Sequence, residues 1–286
     1  MTTQHLTILA LQISIFLVVF GFGLKADAKQ ALLLVRQPGL FARSLLSMFV
    51  AMPLIAVVVV TVFELRPAIE IALVALAIAP IPPLLPGKEN KAGGHTAYAI
   101  GLMAVVALLA IFLVPLSAHV MGLYFHRPFA MSSLAIARIV LVMVILPLVL
   151  GMLVGKFLPA VSARIAKPVS LFAAVLLVLG ALVVLVGAMP VVIKLFGSGS
   201  LLAMAAFVVA GLAVGHLLGG PLAADRTVLA LSTASRHPAI ALSIAKANFP
   251  NEPYLAASIV LYLIVVSLLA VPYVKWRRNR SQTVQE

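Results

Sequence analysis

The chain has 286 residues, of which 64% are apolar and only 9% charged. Water-soluble domains are roughly half apolar and about a quarter charged, so the composition argues against a soluble enzyme. A mean hydropathy of +1.23 over the whole length leaves no place for a separate soluble domain. Twenty Lys and Arg against seven Asp and Glu give a net charge of +13. Without a clustered basic arm carrying interleaved aromatics, that charge points to the loops of a helical membrane protein and not to nucleic acid. Cysteine is absent, which removes disulfides, thiolate metal sites and cysteine nucleophiles.

In chain order, Met1 to Gln4 carries no basic side chain, and the apolar run from His5 to Leu24 is long enough to span a bilayer. It therefore reads as a retained transmembrane helix and not a cleaved signal. Further apolar runs lie near Leu40–Phe63, Pro67–Pro80, Thr96–Met121, Met131–Lys156, Lys167–Ala188, Ser200–Gly220, Thr227–Ala247 and Pro253–Tyr273. Together they predict an all-α, polytopic protein of about nine transmembrane helices, one integral domain over 1–286. Runs of this length satisfy their backbone in lipid only as helices, and the ten-residue alternation of a membrane barrel is absent.

The basic residues predict orientation. With the N-terminus outside, one side holds fourteen: Lys25, Lys29, Arg36, Arg43, Lys88, Lys91, Lys156, Arg164, Lys167, Arg226, Lys275, Arg277, Arg278 and Arg280. The other side holds four, Arg66, Arg127, Lys194 and Lys246. This bias predicts a multi-pass cell-membrane protein with an outside N-terminus and a basic cytoplasmic tail over 275–286.

Two stretches break the apolar pattern. Ala79 to Gly87 carries Pro80, Pro82, Pro83 and Pro86, and Ser232 to Pro238 is the most polar segment inside any predicted span. Proline removes a backbone donor and clashes with the preceding turn, so both helices are expected to be interrupted, near 79–95 and 232–238. The first break falls late in a first half, 1–121, and the second late in a second half, 131–274. Matching interruptions in two halves are the signature of an inverted-repeat transporter, with its substrate site at the breaks. Ordinary proline kinks are the plainer alternative.

Arg236 and His237 stand out within the second break. A cation at membrane depth costs at least ~2.5–3.5 kcal/mol, and the acids all lie in loops or near helix ends. A transported anion, water or the carbonyls of the broken helix would satisfy Arg236. His237 would either titrate and couple transport to protons or sit neutral in a hydrogen bond. The expected substrate-binding set is Ser232, Thr233, Ser235, Arg236, His237 and Pro238 with Pro82, Pro83, Pro86 and Gly87. His216, inside Gly211-x-x-x-Gly215-x-x-x-Gly219, reads as helix packing, and Arg138 as a snorkelling side chain. The loop Lys88 to His95 lacks phosphate-loop spacing. No metal site is expected, because the six histidines are scattered singly. A hydrolase triad lacks its acid, so an enzyme is not expected.

At this point the residues resemble the bile acid:sodium symporter superfamily. Gly21-Phe22-Gly23-Leu24, followed by a basic loop and Gln37-Pro38, resembles that family's G-x-G-L segment and its following proline. Ala51-Met52-Pro53-Leu54 resembles its M-P motif, and Leu146-Pro147-Leu148-Val149-Leu150-Gly151 its L-P-x-x-x-G helix. Thr233 to Leu242, then Ala245 and Phe249, resembles its second crossing helix. The resemblance implies a panel domain and a core domain of ten helices with two broken helices crossing near the midplane; this chain would lack the first. It also implies transport of a small organic anion by alternating access, in the lipid bilayer. The positions matching the family's glutamate and Gln-Asn pair are Ser232, Arg236 and His237 here, a poor set for Na⁺, which needs several oxygen ligands. The family's sodium ligands are therefore not carried over. No cofactor is expected, proton coupling is open, and Arg236 would replace the charge that sodium brings. A sodium-coupled symporter and a non-transporting receptor are the alternatives.

Overall fold

A computed structural model describes residues 3–26, 34, 36–126, 129–197 and 199–282. Lys29 and Arg127 of the charge bias lie outside the described residues, as does the end of the basic tail. All regular structure among the described residues is helical. The helices are α1 (Thr3–Lys25), α2 (Pro38–Val62), α3 (Pro67–Ile78), α4 (Leu85–Lys91), α5 (Thr96–Phe125), α6 (Ser133–Phe157), α7 (Pro159–Lys194), α8 (Ser200–Leu218), α9 (Ala223–Ala234), α10 (Pro238–Asn248) and α11 (Leu255–Gln282).

Seven of these are long and apolar enough to cross a membrane: α1, α2, α5, α6, α7, α8 and α11. Of the two other expected runs, Pro67–Pro80 is the single short helix α3, followed after the first break by α4, and Thr227–Ala247 is divided into α9 and α10. Proline sets several starts. Pro38, Pro67, Pro159 and Pro238 are first residues of their helices, where the missing N–H costs nothing and the fixed φ suits the first turn. Inside α2 and α6, Pro53 and Pro147 follow π-helical turns over Leu46–Ala51 and Leu141–Ile145. The proline ring cannot accept the carbonyl four residues earlier, and widening the preceding turn relieves the clash.

Burial separates inner from outer helices. Ten of the twelve residues of α3 are buried, which an all-round apolar helix achieves only as a core element. By contrast α7 exposes Leu171, Phe172, Val178, Leu179 and Val186. Its 36 residues make a rod of about 54 Å, longer than a hydrocarbon core of ~30 Å. Arg164 and Lys167 occupy its first turns, so its surplus length lies at the basic end.

Helix α1 packs chiefly against α6 and α7, and α8 against α9. Both contacts depend on glycine. A Cβ on Gly151 of α6 would sit 2.3 Å from the Phe20 carbonyl oxygen, and one on Gly23 would sit 2.4 Å from the Leu148 carbonyl oxygen. On α8, a Cβ at Gly215 would fall 2.4 Å from the Leu229 carbonyl oxygen, and one at Gly219 2.4 Å from Arg226 Cα. The 211–219 glycine run is thus a packing face, as its spacing suggests. His216 on that helix meets Tyr273, with Nδ1 2.8 Å from the phenol oxygen, in place of a ligand.

Gly151→Ala is expected to lower thermal stability by roughly 1–3 kcal/mol, since the added methyl meets backbone that cannot yield. Gly187→Ala, where nothing lies within 4 Å, is expected not to lower it. Unfolding of the two purified variants in detergent measures the contrast; equal midpoints would remove the close α1–α6 crossing.

Candidate functional site

The two interruptions meet. Residues Ala79 to Leu84 leave the helix between α3 and α4, and Ser235 to His237 leave it between α9 and α10. The His237 backbone N–H donates to the Pro80 carbonyl at 2.8 Å. Arg236 reinforces the join: one terminal nitrogen donates to the Ala79 carbonyl at 3.2 Å, the other to the Met48 carbonyl of α2 at 3.0 Å. Tyr262 of α11 closes it from behind, its hydroxyl donating to the Ala234 carbonyl at 2.7 Å and accepting the Arg236 backbone N–H at 2.8 Å. Unwound backbone in an apolar interior must find such partners.

Arg236 is 1% exposed. Its two terminal nitrogens are satisfied by carbonyls, whereas its Nε is buried without a hydrogen-bond partner. Among the described residues no carboxylate forms a salt bridge with it. Of the partners open to Arg236, the structure therefore supplies carbonyls in this conformation and keeps the positive charge uncompensated by an acid. His237 is also buried, and its Nδ1 accepts the Ile240 N–H at 3.4 Å across the first turn of α10.

The remaining expected residues divide. Ser232 and Thr233 belong to the last turn of α9 and not to the break, which is shorter than the 232–238 stretch read from composition. Polar side chains alone do not unwind a helix when each finds a partner. Thr233 Oγ1 lies 2.6 Å from Ser47 Oγ of α2, and the Ser232 hydroxyl donates to Glu89 Oε1 at 2.6 Å. Ser235 is buried within the break. Pro82 and Pro83 lie in the first break, but Pro86 and Gly87 are helical, in the first turn of α4, where proline is tolerated. Gly87 faces Phe22 of α1.

Glu89 is the residue that sequence reasoning missed. It read as part of a solvated loop, yet α4 folds back and buries it to 1% exposure. Its side chain accepts a hydrogen bond from the Ser232 hydroxyl, which stays neutral. Asp225, in the first turn of α9, is buried too but lies 3.2 Å from His95 Nδ1. Tyr98 lies 2.9 Å from Ser44, and Arg277 of α11 donates to Thr227 and to the Ala223 carbonyl. These groups form a polar seam between α2, α4, α5, α9 and α11. Among the described residues no three His, Cys, Asp or Glu side chains come together to hold a metal ion.

Away from that seam, a cleft of about 220 Å³ opens beside α3, lined by Val60, Glu70, Val74, Phe125, Phe129 and Phe249 among others. Phe129 and Phe249 meet at it, their ring centroids 5.8 Å apart and their planes tilted by 53°. Asn248, the last residue of α10, ties this mouth together: its side chain accepts from the Ala130 N–H at 2.7 Å and donates to the Ala130 carbonyl at 2.8 Å.

Tyr262→Phe is expected to destabilise the protein by ~1–3 kcal/mol, because it strips the partner from two buried backbone groups at once. Thermal unfolding of the variant checks this; an unchanged midpoint would show that the crossing does not need the hydroxyl.

Compared with known proteins, residues 12–195 match the Sodium Bile acid symporter family. No curated protein matches the chain. The match covers more than half of the length: the chain belongs to this family, and is a multi-pass membrane protein of a transporter family.

Proposed function

On the premise of that membership, we propose that the chain is a secondary-active carrier of a small organic anion, working by alternating access around the crossing of α3–α4 with α9–α10. The two divided segments then count with the seven long helices as nine passes, related by an inverted repeat. The N-terminus is outside and the Lys/Arg-rich end cytoplasmic in the cell membrane. One observation carries the reading: a guanidinium buried to 1% exposure at the meeting of two helix breaks, without a salt-bridge partner and with one N–H unspent. A charge so placed is expensive unless the site has a use for it. An anion arriving there would gain a charge-assisted hydrogen bond, with Ser235, Ser232, Thr233 and His237 as neighbouring polar groups.

In this conformation the crossing is buried, so the anion reaches it only when the elements around it part. The aromatic cleft leads toward it along α3. From Val74 to Ala79 is five residues, about 7.5 Å of helix rise. Phe125, Phe129 and Phe249 suit the apolar body of an organic anion, and Arg236 its charge. Pro82, Pro83 and Pro238 keep the backbone at the crossing from closing into continuous helix. The family's sodium sites are not used, because Ser232, Arg236 and His237 stand where their oxygen ligands would be.

The test is stabilisation of the purified protein by a panel of carboxylates and bile salts, in sodium and in choline buffers, followed by uptake into liposomes. Several degrees of stabilisation by at least one anion without sodium, reduced tenfold or more in apparent affinity by Arg236→Met, is the expected result. Undiminished uptake by the variant removes the Arg236 role. Stabilisation only in sodium returns the chain to sodium-coupled symport.

A further inference from the structure

The chain has seven acidic residues, and among the described ones Glu89 is placed unlike the others. Glu89 is 1% exposed, and its side chain accepts from a neutral hydroxyl, Ser232 Oγ at 2.6 Å. Asp225, the other buried acid, has His95 beside it. An ionised carboxylate in such surroundings is paired, or it takes up a proton and becomes neutral. We propose that Glu89 is the proton-binding site of this carrier, loaded when α4 and α9 are together as seen here and emptied when they separate. The inference rests on the transport reading for its consequence, proton coupling, but the proton site itself does not.

The geometry meets three requirements of such a site. First, the carboxyl must be able to hold a proton: the Ser232 hydroxyl donates to Oε1, leaving Oε2 to carry it. Second, the proton must reach water. Glu89 sits on a seven-residue helix beside exposed Asn90 and Lys91, at the Lys/Arg-rich end. Third, occupancy must sense the moving parts. Glu89 lies on the segment that follows the first break, and Ser232 lies three residues before the second break begins. The next residue, Thr233, is bonded to Ser47 of α2, whose neighbour Met48 accepts from Arg236. Protonation of Glu89 is thus joined to the crossing through one turn of α9.

Of the charged and titratable groups on the packed elements, all but Lys88 and Lys91 are engaged by other partners. Lys88 and Lys91 share its helix. His95 and Tyr98 come from α5, Asp225 and Arg226 from α9, Arg43 from α2, and Tyr262, Tyr273 and Arg277 from α11. His95 pairs with Asp225, Tyr98 with Ser44, Arg43 with the Gly39 carbonyl and Arg226 with the Gly220 carbonyl. Tyr262 and Tyr273 bond backbone carbonyls, and Arg277 bonds Thr227 and Ala223. His237, the residue that first suggested proton coupling, uses its ring nitrogen to hold the start of α10.

Infrared difference spectroscopy of the purified protein in sodium-free buffer, titrated from pH 5.5 to 9.5 without substrate, tests the site. A protonated-carboxyl C=O band that disappears within this range, above pH 6, and is missing from Glu89→Gln, is expected. Ser232→Ala removes the donor that favours the ionised form, so its midpoint moves upward; a purely structural Ser232 would leave it in place. The proposal is overturned if no carboxyl band titrates above pH 6, if the band survives in Glu89→Gln, or if Ser232→Ala leaves the midpoint unmoved. The Ser232→Ala arm decides the matter should Glu89→Gln not fold.

Proteoliposomes separate this proposal from the transport reading. If the band titrates as expected but no panel anion moves, the proton site stands and the carrier reading falls. If an anion moves equally in wild type and Glu89→Gln, with the same response to a pH gradient, the carrier stands and the coupling falls. An uptake that responds to pH in wild type and not in Glu89→Gln supports both.

Discussion

Everything near the centre of this molecule follows from a requirement of unwound backbone in an apolar interior: each freed carbonyl and N–H needs a partner, and no water is at hand to supply one. The two breaks meet that requirement largely by joining each other. Pro80 offers a carbonyl left free where the helix stops, and His237 offers the N–H that takes it. Arg236 extends the same solution to Ala79 and Met48, so three separate segments of chain are held by one side chain and one peptide bond. Tyr262 then covers the end of α9. Remove any of these and a buried polar group is stranded, which costs more than the hydrogen bond itself contributes.

Outside that knot the structure depends on closeness and not on polar bonds. In lipid, apolar side chains give helices no reason to prefer one another over hydrocarbon, so contact area at short range decides. The α1–α6 and α8–α9 crossings use glycine to bring backbone against backbone. The helices thus carry two kinds of surface: tight small-residue faces turned inward, and Leu, Val and Phe turned outward, most plainly on α7.

The all-helical class, the membrane setting and the family were readable from the sequence because they rest on long apolar runs and on local motifs such as Met52-Pro53 and Leu146-Pro147. Interruptions were readable for the same reason: Pro82, Pro83 and Pro238 act on their own neighbours. The exact extent of the breaks was not. Ser232 and Thr233 look like helix breakers in a linear string, and only the arrival of Glu89 and Ser47 from 143 and 186 residues away keeps them helical. Glu89 itself was invisible as a buried group, because Lys88, Asn90 and Lys91 around it all signal solvent. Arg236 was recognised as costly, but its carbonyl partners on α2 and beside α3 carry no side-chain signature at all.

The tie between Asn248 and Ala130 gives α10 a mechanical character. Its eleven residues form a rod of about 16 Å, pinned at one end to Pro80 and at the other to the turn that carries Phe129. A rod fastened at both ends is a lever: a tilt of about 10° about the crossing displaces the far end by roughly 3 Å. The aromatic mouth of the cleft and the polar knot at the centre therefore cannot rearrange independently, and the distance between them is bridged by a single stiff element.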